Sequence, residues 1–138
     1  MIFDLPLHPL IVHAVVVLVP LAAVLLVLAI AVPRLRTPLG PLGLILAVLG
    51  AISAVIADQS GSTLTESVGT PDDHIRWGLP TVISSAAMAT TALLWFFLRG
   101  RIPRVLFGVL TVLSAIAAVT FTILAGHSGA EAVWGGLS

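Results

Sequence analysis

The chain predicts an all-α fold of one kind, an integral membrane four-helix up-down bundle, and three observations predict it. Hydrophobic residues fill 59% of the 138 positions and charged residues only 9%, giving a mean hydropathy of +1.19 that ordinary soluble domains do not reach. The apolar residues are gathered into four runs, each about 20 residues or longer, which at 1.5 Å per residue is enough for a hydrocarbon core of about 30 Å. Charges and prolines punctuate the runs. Six basic and six acidic residues cancel, so nothing marks a nucleic-acid binder, and the lipid bilayer is the first partner implied. Without cysteine there is no disulfide, thiolate ligand, iron-sulfur cluster or covalently attached haem, and any metal or cofactor must use His, carboxylate, Met or backbone.

The first span covers residues 9–32 and is stopped by Pro33-Arg34-Leu35-Arg36. Residues 1–7 carry Asp4 and no Lys or Arg; they lack the basic region of a cleaved secretory signal, so this span is expected to stay in the mature protein. The second span, 39–57, stops at Asp58. Residues 58–70, rich in Ser, Thr and Gly, are expected to lie as a loop across the mouth of the bundle. Thr70-Pro71-Asp72-Asp73 then reads as a helix start: N-cap, proline at the first helical position, and acids where the helix dipole favours them. The third span, 77–98, lies between Arg76 and Arg99, and a short connector of Arg99 to Pro103 turns it into the fourth, 104–126, which ends at Gly126-His127. The whole of 1–138 is expected to be one four-span domain.

Charge sets the expected orientation. Arg34, Arg36, Arg99, Arg101 and Arg104 lie on the two short connections at one face, which the positive-inside rule makes cytoplasmic. Only Arg76 departs from this pattern. Asp4, Asp58, Glu66, Asp72, Asp73 and Glu131 fall at the opposite face with both termini. The expectation is a multi-pass protein of the bacterial cytoplasmic (inner) membrane with both termini on the extracytoplasmic face.

All four histidines, His8, His13, His74 and His127, lie at that same acidic face. Ionisable residues repeated at one membrane depth point to a shared site, because each costs free energy in lipid unless something satisfies it. Counting from span centres, His13 lies roughly 12 Å from the bilayer centre and His8, His74 and His127 about 18 to 20 Å. His13 is thus the histidine inside the hydrocarbon. His8 and His13 stand about 140° apart around a helix, so they do not share one compact metal unless the helix begins after Pro9. His13 with His127 is the pair expected on opposite sides of a flat cofactor, with His74 next. Small residues give the room: Gly126, Gly129, Ala125 and Ala130 beside His127, and Gly43, Ala47, Gly50 and Ala51 for close packing of the second span. Trp77 and Trp134 at one interface, and Trp95, Phe96 and Phe97 at the other, read as aromatic-belt anchors. The hydroxyls of Ser53, Ser84, Ser85, Thr90, Thr91, Thr111, Ser114 and Thr120 are expected to bond carbonyls of their own helices.

Leu7-His8-Pro9-Leu10-Ile11-Val12-His13 resembles the opening HPLxVH motif of the small bacterial membrane family labelled domain of unknown function 2231. Gly126-His127-Ser128-Gly129, with Val133 and Gly136, resembles its closing GxxGxxxVxxxG element, Gly136 standing one position early, and His74 matches a third polar landmark. Ala14 and Val15 stand where that family usually has Phe-Pro, and Ala130 reduces the glycine pair. The resemblance implies a four-helix bundle akin to membrane cytochromes b, in which histidines on facing helices hold haem.

The residues themselves are compatible with haem b, which needs apolar walls, two axial imidazoles and small neighbours. His13, His127, His74 and His8 are the candidate ligands, and Arg76 the candidate partner for the propionates. Such a site favours electron transfer over stand-alone enzyme chemistry, with a quinone or redox protein as partner, and leaves oligomerisation open. A Zn or Cu site built from the same histidines, with Asp72 or Asp73, is the alternative. Proton or ion transport ranks last, because the arginine-side half of every span lacks an ionisable group and no relay crosses the membrane.

Overall fold

A computed structural model describes the backbone of residues 7–68 and 72–134 and the side chains of residues 9–60 and 76–127. It has four long helices: α1 (Leu7–Ala31), α2 (Arg36–Val68), α3 (Asp72–Phe97) and α4 (Arg101–Trp134). All four are long and apolar enough to cross a membrane.

Local chemistry ends each helix at the arginine-bearing end. Val32 precedes a proline, which disfavours helical backbone, and it adopts an extended conformation (φ −116°, ψ 102°). A 3₁₀ turn, Pro33–Leu35, follows and feeds directly into α2. At the other connection the chain needs a positive φ, and glycine supplies it: Gly100 has φ 110°. The Arg104 N–H donates back to the Gly100 carbonyl at 3.4 Å. Pro103 falls in the first turn of α4, where its missing N–H has no intrahelical partner to lose.

At the histidine-bearing end the helices outrun their apolar spans. The segment expected to be a loop from Asp58 is helical to Val68, and α4 continues past Gly126-His127 to Trp134. A charged side chain ends the hydrophobic run without ending the backbone ladder, and no proline interrupts 59–68. The expected N-cap, Thr70, and Pro71 lie outside the described residues.

Neighbours in sequence are the main neighbours in space. The bundle is a square in which α1 packs chiefly on α2 and α3 on α4, with lesser α2–α3 and α1–α4 seams and almost no diagonal contact. Side chains on the shared interior are small: Val15, Val19, Ala22 and Leu26 of α1 meet Leu44, Ala47 and Ala54 of α2, Met88 and Ala92 of α3, and Ala115 and Ala118 of α4. Lipid offers no hydrophobic contrast between helices, so close backbone approach and dispersion must hold them. Gly50 allows that approach: a Cβ there would lie 3.0 Å from Val19 Cγ2 and 3.5 Å from the Val19 backbone nitrogen. This bears out packing as the role of the small residues in the second span.

Part of the expected hydroxyl set behaves as the sequence suggests: Ser84, Thr91, Thr111 and Thr120 donate to carbonyls one turn earlier at 2.7–2.8 Å, as does Thr81. Ser85 departs from the expectation, its buried Oγ having no hydrogen-bond partner among the described residues. Among the described residues the Thr111 hydroxyl also lies 3.1 Å from the Thr91 hydroxyl across the helices, and donates there when it releases the Phe107 carbonyl. Trp95 departs from the expected aromatic belt. It is only 1% exposed, because Gly108 of α4 leaves space for its indole. Phe97, exposed beside it, keeps the interfacial position.

Candidate functional site

The phase of each helix sorts the histidines. The buried stripe of α1 runs Val15, Val19, Ala22, Ala23, Leu26, Ala29. At 100° per residue His13 lies roughly 150° from its centre, among the exposed Leu10, Val17, Leu21 and Val24, and His13 is itself exposed. The buried stripe of α4 runs Gly108, Thr111, Ala115, Ala118, Thr122. His127 lies roughly 140° from it, is exposed, and continues the outward line of Val109, Leu113, Ile116 and Ile123. Both imidazoles face away from the bundle interior.

They nevertheless share one seam. Val16 of α1 meets Gly126 of α4, where a Cβ would lie 3.9 Å from Val16 Cγ2. His13 stands three residues before that contact and His127 one residue after it, and both steps lead toward the same end of the antiparallel pair. Their backbones therefore differ in level by about 3 Å at 1.5 Å per residue. Each histidine lies on the side of its helix that borders the α1–α4 seam, since the residues of α1 that approach α4 are Val16 and Ile30 and those that approach α2 are Leu18, Val19, Leu25 and Leu26.

His13 is chemically prepared. Its Nδ1–H donates to the Pro9 carbonyl at 2.6 Å, a carbonyl that the sequence offers because α1 begins at Leu7 and carries Pro9 in its first turn. A carbonyl only accepts, so the neutral ring carries its proton on Nδ1 and leaves the Nε2 lone pair available as a ligand. This is the arrangement in which a ligating histidine is oriented by the hydrogen bond on its other nitrogen. The same bond satisfies a polar group at a lipid-facing position.

Arg76 belongs to another flank. Its guanidinium carbon sits 5.0 Å from the centroid of the Trp77 ring, and Trp77 stacks on Phe121 of α4 at 5.9 Å, so the arginine accompanies the α3–α4 pair rather than the α1–α4 seam. The side chains of His8, His74, Asp72, Asp73, Glu131 and Trp134 lie outside the described residues. Among the described residues no three His, Asp or Glu side chains are grouped to hold a metal ion.

Asp58 carries more than the sequence reading gave it. It continues the inward stripe of α2 after Ala54 and Ala57 and reaches α3, where a Cβ on Gly78 would lie 2.5 Å from its Oδ1. Its spacing of four from Ala54 was the available signal. Treating the charge as the end of a span concealed it.

A square of four spanning helices with polar groups concentrated at its two ends defines the class: a small integral membrane protein embedded in the lipid bilayer. The chain matches the family described as predicted membrane protein, DUF2231, over residues 4–136, and it belongs to that family. No curated protein and no solved structure matches it.

Proposed function

We propose that this protein binds haem b against the outer face of the α1–α4 seam, where His13 and His127 would hold it, and transfers electrons at that one end of the membrane. The observation that carries the reading is the His13 Nδ1–H bond to the Pro9 carbonyl, which leaves Nε2 free on the same seam and near the same level as His127. The chemistry of the donor set supports the reading: two imidazoles beside one seam, apolar side chains along both outward stripes, and a glycine at the helix crossing. Haem held by these two imidazoles would supply one-electron chemistry. The chain's own contribution is to fix the His13 ring through Pro9, to surround the site with Leu10, Val16, Val17 and Ile123, and so to keep water from it.

Because both histidines face outward, the remaining wall comes from outside the bundle, as a second copy of the chain or a redox protein, with a quinone in the bilayer as a further electron partner. The five arginines at the opposite end support, by the positive-inside rule, a bacterial inner-membrane protein with that end cytoplasmic and the histidine end outside. Electron transfer is then confined to the outer leaflet, since no histidine lies in the arginine-side half of any span.

The absorption spectrum of the purified full chain tests this. Reduced protein is expected to show sharp split visible bands, lost in His13→Ala and in His127→Ala and retained in Arg76→Gln. A colourless protein with stoichiometric Zn or Cu overturns the haem reading in favour of a metal site. Bands abolished by His8→Ala and His74→Ala but kept in His13→Ala move the ligands to His8 and His74 and overturn the assignment to His13 and His127.

A further inference from the structure

The arginine-bearing end holds a groove that the histidine site does not use. It opens where α1 has ended and α4 runs on, has a volume of about 400 Å³, and is lined by Ile30, Arg36, Trp95, Arg104, Val109 and Val112 among others. That volume falls within the range of about 300 to 1,000 Å³ typical of small-ligand clefts. Its character changes along its length: two guanidinium groups at the end of the bundle, then apolar side chains of α4 running toward the membrane centre.

The charge at its mouth is unbalanced in three ways. The chain has no Asp or Glu between residues 5 and 57 or between 74 and 130, so no carboxylate of its own spans stands near these arginines. Arg36 opens α2 and Arg104 lies in the first turn of α4, and neither helix has an acidic residue in its first turn. The positive ends of the α2 and α4 dipoles therefore lack the acids usually found there, and with the negative ends of α1 and α3 at the same level the excess charge is that of the arginines. Finally, Arg36 packs its guanidinium over the Trp95 ring, with 5.3 Å from carbon to centroid, and its buried Nε has no hydrogen-bond partner among the described residues. Such a donor awaits an acceptor, because an unpaired buried polar group is costly.

We infer that the groove seats one anionic phospholipid of the adjoining leaflet, its phosphate held between Arg36 and Arg104 and an acyl chain laid along Val109 and Val112. The occupant follows from the surroundings: the groove opens to the bilayer, its walls match an acyl chain, and its mouth matches a phosphate. Basic pockets between spanning helices bind acidic headgroups by this chemistry. The inference stands independently of the histidine site.

The full chain in non-ionic detergent is titrated with phosphatidylglycerol, phosphatidylcholine or inorganic phosphate, and bound lipid per chain is read by native mass spectrometry. One phosphatidylglycerol per chain is expected, with phosphatidylcholine at least tenfold weaker. Arginines near a membrane surface contribute about 1 kcal/mol each toward acidic lipid, so Arg36→Gln with Arg104→Gln is expected to weaken binding about 30-fold, or about 2 kcal/mol at 1.4 kcal/mol per tenfold. Arg34→Gln, outside the groove, is expected to leave it within about threefold. Val109→Trp, an exposed position that the fold tolerates, fills the apolar half and is expected to displace the lipid without lowering the melting temperature. Equal binding of the two lipids, or full retention in the double arginine variant or in Val109→Trp, overturns the proposal. Inorganic phosphate displacing the lipid at equal concentration also overturns it, since that makes the site one for free anions.

Discussion

Replacing Gly126 by alanine is expected to stabilise the bundle, while the same replacement at Gly50 destabilises it. Within a helix glycine is worse than alanine by about 0.8–1.0 kcal/mol, so a new methyl that meets no obstacle returns most of that. At Gly126 the Cβ would find Val16 Cγ2 at 3.9 Å, an ordinary contact, and the expected gain is about 0.5–1 kcal/mol. At Gly50 it would lie 3.0 Å from Val19 Cγ2, with the Val19 nitrogen at 3.5 Å and the Leu18 carbonyl carbon at 3.6 Å. Val19 is fully buried and cannot swing aside. Overpacking of this kind costs about 1–3 kcal/mol, which leaves a net loss of about 0–2 kcal/mol after the helix propensity is returned. The two variants should therefore differ by about 1–3 kcal/mol. Reversible unfolding of the full chain in mixed micelles, titrated with a denaturing detergent and followed by circular dichroism, measures the difference. A destabilising Gly126→Ala would mean that the α1–α4 seam is closed more tightly than the Val16 contact implies. A stabilising Gly50→Ala would refute the close approach of α1 and α2.

Two further outcomes follow from polar contacts. The Thr111–Thr91 bond at 3.1 Å should give a coupling of about 0.6 kcal/mol in a double-mutant cycle to valine, the usual size inside a membrane protein; a coupling indistinguishable from zero would reduce both hydroxyls to bonding their own helices. Gly78→Ala places a methyl against Asp58 Oδ1 and should cost about 1–3 kcal/mol by displacing the carboxylate, a loss that Asp58→Ala in the same chain should largely relieve; an equal loss in the double variant would show that α3 itself is disturbed.

The four spans were legible because charge and proline are costly in lipid, and both short connections lie where Pro33 and Gly100 require them. The helix ends beyond the hydrocarbon were not. Asp58 and His127 end an apolar run, yet neither side chain removes a backbone N–H, so the ladder continues through both. The site was legible in depth and not in direction. In a soluble helix the polar face reveals which way a residue points, but α1 is apolar on every side because one face meets helices and the other meets lipid. Depth alone put His13 ahead of His8. Only the buried stripe through Val15 and Val19 shows that position 13 faces out.

The uneven pairing of the helices has a consequence for biogenesis. Tight contacts lie within the α1–α2 and α3–α4 hairpins, whose connections are short, so each hairpin can leave the insertion machinery already paired. The lighter α2–α3 and α1–α4 seams are then what join the two halves. A ligand bound only when the α1–α4 seam is closed would act as a latch whose strength rises with ligand concentration.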